Sequence, residues 1–452
     1  MARLHESAAA SDRILEAFAR LPRHLFLPEV PLEMVYSDDA IVTRDEGGVP
    51  TSSSSQPSLM ARMLEQLEVG PGDRVLEIGA GTGYNAAVMA ELGAAVTTVE
   101  LQPEVAAAAR EHLLAAGVPV AGDEPRGERR DAVDPAAEGG GAVERRGAAE
   151  HAAEGGGAVE RRGAAEHAAQ GGGAVERRDA AGSVAAAVPP GSVLVVTGDG
   201  AVPPDGPYDR VIVTAGCWSL PPAVVDSLTD GGVLVAPLRV NGVELVLGLR
   251  REGDVLRGGR GIPCGFMPMR GGDERPWRWQ LGGGGVATAD ADLGVEGRGA
   301  IDRLLAQPGR EVEDPIALRE GEHALGAILW LGLRGDPLLS LVRPAREGRP
   351  PWTVGLDVLP ASLLVLELAS GYAGVASAWL HGGDAALRTC LDGMAAWRAA
   401  GSPGPAALEL TIEPHGGRTG WSLPFTTPDG AATMIRGAHR WTLRYATRER
   451  AD

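Results

Sequence analysis

The spacing of apolar residues changes along this chain, and each change predicts a different element. Residues 10–28 open with a short helix and continue as "RLPRHLFLP", where Pro22 and Pro28 break the chain. In "PSLMARMLEQLE" at 57–68, Leu59, Met63, Leu64 and Leu67 recur at helical spacing and predict one buried face. Pro57 suits the first turn, and Ser55 stands where a helix cap is expected. From residue 75 the pattern alternates. Val75–Ile78 reads as a buried strand, Tyr84–Leu92 as a helix and 95–100 as a strand. Residues 103–117 read as a second helix with Val105, Ala109, Leu113 and Leu114 inward and Gly117 at its end. Further strands are expected at 192–200, 208–216 and 232–238, with a helix after Leu220. Strands alternating with helices predict a doubly wound parallel α/β sheet. Alternation on both sides of "REGD" at 251–254 predicts an antiparallel hairpin that closes it.

The alternation is interrupted between residues 118 and 190. A sixteen-residue unit, "GGGAVERRGAAEHAAE", fills 139–154, recurs at 155–170 and begins again at 171. Each copy offers one valine and several alanines, too little apolar surface for a stacked core, so a low-complexity insertion is expected. It falls between a helix and a strand. In an open α/β sheet that edge is opposite the carboxyl ends of the strands, where ligands bind. His151 and His167 repeat with the unit and show no metal-ligand spacing.

Composition shifts near residue 271, and eight of the nine tryptophans lie at or beyond Trp277. The domains expected are 1–271, a linker at 272–286 around the glycine run 282–285, and a separate α+β domain at 287–452. In that domain a helix is predicted at 384–398, with Asp384 as cap and Leu387, Leu391 and Met394 inward. Strands are predicted with Leu408, Leu410 and Ile412 on one face, and with Trp441, Leu443 and Tyr445 on another. The apolar stretch 361–380 is long enough to span a membrane. Glu367, Gly371 and Gly374 favour two buried strands turning near Ser370–Gly371 instead.

Formal net charge is −18 over 452 residues, which argues against nucleic acid as the main partner. Cys217, Cys264 and Cys390 are widely separated and form neither a disulfide framework nor a zinc motif. The first 30 residues carry charges throughout and no apolar core of a signal peptide, so a reducing cytoplasm is the expected setting. His24, His323, His381, His415 and His439 have no evident acid or nucleophile beside them in sequence.

The chemistry concentrates in "LEIGAGTGY" at 76–84, a strand running into Gly79, Gly81 and Gly83 and then a helix. Glycines let the backbone turn sharply and approach a ligand closely. The third glycine of a dinucleotide fingerprint would fall at Tyr84, so a nicotinamide cofactor is disfavoured. Glu100 ends the second strand, where a carboxylate can accept two ribose hydroxyls, and Asp199 ends the third at the same edge. Upstream, "TSSSSQP" at 51–57 sets five hydroxyls before the first sheet helix.

With "RLPRHLFLP", "YSDDA", "SQP" and "FMPMRG", these segments make residues 10–271, apart from the insertion, resemble the protein L-isoaspartate (D-aspartate) O-methyltransferases. The resemblance implies a Rossmann-like class I methyltransferase sheet and S-adenosylmethionine as methyl donor. It implies cofactor contacts at Glu77, Gly79, Ala80, Gly81, Gly83, Glu100, Leu101, Asp199 and Gly200, and no metal. It places the substrate carboxylate beside Ser53 and Ser55, while Ser54 and the lead-in Pro50–Thr51 depart from the family pattern. The extension and the altered serine segment resemble members associated with lanthipeptide and graspetide biosynthesis. Those act on an aspartate of a ribosomal precursor peptide and lead to an aspartimide or isoaspartate. General isoaspartyl repair, a peptide-binding protein on an inactive scaffold and a small-molecule methyltransferase are the alternatives.

Overall fold

The computed structural model describes residues 10–46, 49–122, 188–240, 242–270, 277–289, 292–334, 338–342, 352–358, 361–368, 374–417, 419–422, 424–426 and 431–445. The repeats, His151 and His167 lie outside the described residues. Of the expected insertion only its flanks are described. Val120 bridges Val193 there, at the amino end of a strand.

Helix α1 (Asp12–Arg20), a 3-10 turn (Arg23–Phe26) and the single turn α2 (Leu32–Val35) lead into a hairpin of β1 (Ile41–Glu46) and β2 (Val49–Ser54). Helix α3 (Pro57–Leu67) follows, with Met60, Met63, Leu64 and Leu67 buried. The parallel core is β3 (Arg74–Ile78), α4 (Tyr84–Glu91), β4 (Ala95–Glu100), α5 (Pro103–Ala115), β5 (Ser192–Thr197), β6 (Tyr208–Val213), α6 (Pro222–Ser227) and β7 (Leu228–Val240). Its order is β5-β4-β3-β6-β7, every neighbour parallel. β8 (Val243–Glu252) and β9 (Val255–Pro263) then close the sheet as the expected antiparallel hairpin. On α5, Val105, Ala109 and Leu113 face inward as predicted, but Leu114 is 48% exposed and Ala106 is buried in its place.

A second sheet follows. It contains β10 (Trp277–Gln280), β11 (Val286–Ala289), β12 (Arg310–Val312), β13 (Leu338–Val342), β14 (Trp352–Val358), β15 (Ser362–Leu368) and β16 (Val375–Gly382). Helices α7 (Gly294–Ala306), α8 (Ala324–Leu333) and α9 (Ala385–Ala399) accompany it. The order is β10-β11-β13-β14-β15-β16-β12, all antiparallel. β15 and β16 are the two strands expected in the apolar stretch, and no helix among the described residues is long and apolar enough to cross a membrane. Where a linker was expected at 272–286, β10 and β11 pair, and Gly284 and Gly285 supply the positive φ of their turn.

The chain then returns. β17 (Leu408–Pro414), β18 (Gly420–Trp421), β19 (Phe425–Thr426), β20 (Ala432–Gly437) and β21 (His439–Tyr445) extend the first sheet, with β17 pairing antiparallel to β9. The separate domain expected at 287–452 therefore divides between its own sheet and the edge of the first one. An apolar core runs across both, from Leu245 and Leu247 through Leu325 and Ile328 to Leu364 and Leu366. Arg239 adds a buried hydrogen bond to Ser340 at 2.7 Å.

Candidate functional site

The four strands β3, β4, β5 and β6 point their carboxyl ends to one edge. β3 sits at the switch point, because the chain winds to β4 on one side and to β6 on the other. Crevices open at such points. Gly79, at φ +96°, leaves β3 through a bond from its N–H to the Val99 carbonyl at 2.8 Å. A side chain on Gly79 would begin 2.5 Å from Thr214 Oγ1. That hydroxyl lies 2.9 and 2.7 Å from the Ile78 and Gly79 carbonyls and locks the turn. Gly81, at φ +52°, lies under β2. A Cβ there would stand 3.1 Å from the Ser53 carbonyl oxygen. Gly83 serves packing. Its missing Cβ lets α5 approach, since it would meet the Ala109 carbonyl at 3.1 Å.

Glu100 ends β4 and bends back to the loop. Its carboxylate accepts the Gly81 N–H and the Gln102 N–H, each at 3.1 Å. Glu77 is wholly buried beneath, accepting from Thr98 Oγ1 at 2.6 Å and Asn85 Nδ2 at 2.8 Å. With Nδ2 spent on Glu77, the Asn85 Oδ1 is buried without a partner in a side chain that lines the cleft. Burial pushes the Glu77 carboxyl up to about 7, against the two hydrogen bonds. Between its ordinary 4.5 and that value the folded chain holds a proton that the unfolded chain has released, so stability falls as pH rises through the window. Glu77→Gln, neutral throughout, is expected to flatten that slope in scanning calorimetry between about pH 5 and 8. Parallel slopes for both proteins would reject the assignment.

The serine run is strand, not linker. β2 pairs with β1, Val42 opposite Ser53 and Ile41 opposite Ser54. The pleat alternates its hydroxyls. Ser52 and Ser54 are buried, and Ser54 accepts from Arg23 Nη2 at 3.2 Å while Ser52 accepts from Thr43 at 3.1 Å. Ser53 and Ser55 are half-buried. Ser55 does not cap α3. Asp38 does, accepting the Ser58 N–H at 2.9 Å, because β2 ends at Ser54 and Gln56 rather than Ser55 takes the cap position, its Nε2 turned to Asp38 at 3.0 Å. Burial would raise the Asp38 carboxyl, but these bonds and the charge of Arg23 hold it below its ordinary range.

Together these elements line one open cleft. Of the residues expected from sequence, Gly79, Ala80, Gly81, Glu100, Leu101, Gly200, Ser53 and Ser55 line it. Three do not. Glu77 lies beneath the loop, Gly83 faces α5, and Asp199 turns the end of β5 by accepting the Ala201 N–H at 2.9 Å. The cleft also takes in Thr51, Asn85, Gln102, Thr214 and the stretch Met267–Arg270. Met267–Arg270 had a signal in "FMPMRG" and Thr51 in "TSSSSQP", whereas Asn85 on α4, Gln102 before α5 and Thr214 after β6 had none, because their aim depends on tertiary contacts. The fit to a nucleoside rests on bare backbone lining the cleft at Gly79, Gly81 and Gly200, where neighbouring atoms leave no room for a side chain, a Cβ on the last starting 2.3 Å from Ile78 Cγ2. It rests also on three buried acceptors without a partner, Thr51 Oγ1, Asn85 Oδ1 and Gln102 Oε1.

A family model described as protein-L-isoaspartate(D-aspartate) O-methyltransferase matches residues 1–120 and 164–273. Among curated relatives, the protein-L-isoaspartate O-methyltransferase of Methanoculleus marisnigri is 32% identical over 266 residues, 58% of this chain and 84% of that protein. That of Roseiflexus sp. is 29% identical, covering 58% of this chain and 85% of its own length. A solved protein-L-isoaspartate O-methyltransferase overlaps 91% of this chain and 94% of its own, with TM-score 0.43 and 21% identity.

Proposed function

The chain belongs to the protein-L-isoaspartate(D-aspartate) O-methyltransferase family, and from that premise we propose that its cleft methylates an aspartyl or L-isoaspartyl carboxylate in a ribosomally made, modified peptide. S-adenosylmethionine, when bound, supplies an electrophilic methyl group. The loop Gly79–Gly81 and the adjoining Gly200 would hold the nucleoside close to main chain, and Glu100 would take the ribose hydroxyls. A peptide carboxylate is already ionised at neutral pH, so the protein needs no general base. Its residues align the two reactants and exclude water. Ser53 and Ser55 each offer one hydroxyl donor, which orients a carboxylate without neutralising it. The methyl ester leaves the next backbone nitrogen free to close a five-membered imide, the aspartimide, with methanol leaving.

The observation that carries this reading is the half-buried Ser53, on a strand packed directly over Gly81, with half-buried Ser55 just past that strand's end. A hydroxyl edge and a nucleoside cradle then share one cleft. The tailoring version draws on residues 274–452, which lie beyond the family match and add a second sheet and five strands to the first. Such added surface suits recognition of a longer peptide. The reading also places the chain in a reducing cytoplasm, with Cys217, Cys264 and Cys390 as buried thiols.

The test is methyl transfer to a cyclised, aspartate-containing precursor peptide and, separately, to an unrelated linear isoaspartyl peptide. Selective turnover of the first is expected. Equal turnover of both would replace tailoring by general repair. In the same assay Ser55→Ala should lower kcat about ten- to a hundredfold while calorimetry finds cofactor affinity preserved. Equal loss of affinity would move Ser55 out of the carboxylate side.

A further inference from the structure

Two side chains that are charged at neutral pH line the cleft among the described residues, Glu100 and Arg270. Glu100 is accounted for by the Gly81 and Gln102 N–H groups. Arg270 is not. It follows a short ladder in which the Gly216 N–H donates to Met267 at 2.8 Å and the Met269 N–H donates to Gly216 at 2.9 Å. The backbone just before it is therefore tied to Gly216, beyond the end of β6. Its guanidinium makes one long bond, 3.4 Å to the Thr51 carbonyl, which already accepts Gln102 Nε2 at 3.0 Å. No carboxylate among the described residues lies within ion-pairing distance of it.

The neighbouring arginines are committed. Arg23 is buried under four acceptors, and Arg44 pairs with Glu104 at 2.7 Å. Arg270 thus brings most of five planar donors, half withdrawn from water, to the hydroxyl-bearing side of the cleft. In a chain of net charge −18 it is a local exception that favours an anion.

The anion is not the reacting carboxylate. A guanidinium fork engages both oxygens of a carboxylate and draws on the lone pairs that must attack carbon. Ser53 and Ser55 hold a carboxylate more lightly. Resting on the carboxylate-methylation reading above, we infer that Arg270 is a subsite for a second carboxylate of the peptide, an aspartate or glutamate beside the residue being methylated. The preferred substrates are then acidic in sequence context.

The experiment uses the full chain with S-adenosylhomocysteine present and fluorescent peptides that differ only in the flanking residue, Asp, Asn or Lys. Wild type is expected to bind the Asp peptide about tenfold more tightly than the Asn peptide, the size of one partly screened charge-assisted pair. Arg270→Gln should bring that ratio to about one. Arg270→Glu should reverse it in favour of the Lys peptide, a gain that a misfolded variant would not show. Absence of a charge preference in wild type, or its survival in Arg270→Gln, overturns the inference. So does a loss of S-adenosylmethionine affinity in Arg270→Gln with the peptide ratio unchanged, which would give the guanidinium to the cofactor's own carboxylate. Methyl transfer is read separately. A peptide bound with the predicted preference but never methylated would keep the subsite and remove the reaction.

Discussion

Replacing Gly79 by alanine should abolish cofactor binding, with no heat detectable in calorimetry at ligand concentrations that saturate the wild type. Two independent effects act on the same atom. At φ +96° an L-residue is strained whatever surrounds it, by about 1–3 kcal/mol. In addition, the new methyl would start 2.5 Å from Thr214 Oγ1, well inside van der Waals contact. Thr214 cannot step aside cheaply, since that hydroxyl sits within 2.9 Å of the Ile78 carbonyl and 2.7 Å of the Gly79 carbonyl. The strain is relieved by moving the loop, and the loop is the floor of the cradle. Gly81→Val should act by a different route. Its side chain would press on the Ser53 carbonyl and disturb both halves of the site. If Gly79→Ala binds S-adenosylmethionine with wild-type affinity, the cradle has been assigned to the wrong loop.

That glycine turn was legible because its geometry is local. A buried strand, three glycines and a helix follow one another in sequence, and strands alternating with helices indicate a parallel sheet. What depended on distant partners was not legible. The segments 408–412 and 441–445 read correctly as strands, with Leu408, Leu410 and Ile412 buried on one side and Trp441 and Leu443 on another. Their place at the edge of the first sheet depends on a distant partner, β9. Gly259 lets β17 come close there, since a Cβ on it would lie 2.4 Å from the Leu408 carbonyl. Likewise α9 was expected to turn Leu387, Leu391 and Met394 inward. Met394 is buried as expected and Leu387 packs half-buried against the core, but Leu391 is 48% exposed, and Ala386, Cys390, Gly393 and Trp397 complete the buried face. Gly393 explains the rotation, because its small face meets Leu331 of α8 where a Cβ would stand 2.2 Å away. The helix follows the closest backbone approach rather than its most apolar side chains. The serine run falls between these cases. Its hydroxyls and the "SQP" ending pointed to the site, but their alternation into buried Ser52 and Ser54 and half-buried Ser53 and Ser55 needs the pairing with β1.

The residue that fixes this strand had no signal beyond its place in "RLPRHLFLP". Arg23 is 2% exposed and donates to the Val35 carbonyl at 2.8 Å, the Ser37 carbonyl at 3.4 Å, Ser54 Oγ at 3.2 Å and the Ser55 carbonyl at 2.9 Å. One side chain thereby ties α2 to the end of β2. Burial pulls its pKa below the ordinary guanidinium range, only partly countered by the charges of Tyr84, Asp38 and Asp39. Arg23→Met keeps most of the stem but strands these acceptors away from water. The expected loss is about 3 kcal/mol, or roughly 5–10 °C in melting temperature. Arg23 contacts neither the glycine loop nor Glu100, so affinity for S-adenosylmethionine should change little. Turnover should fall at least about tenfold even below the new melting temperature, because Ser54 and Ser55 lose their anchor and the carboxylate its alignment. Arg23→Lys separates charge from geometry. A single ammonium can reach some of these acceptors but not bridge both segments, so it should recover part of the stability and little of the turnover. A variant that melts early yet turns over normally would show that the β1–β2 hairpin alone holds the serines in place.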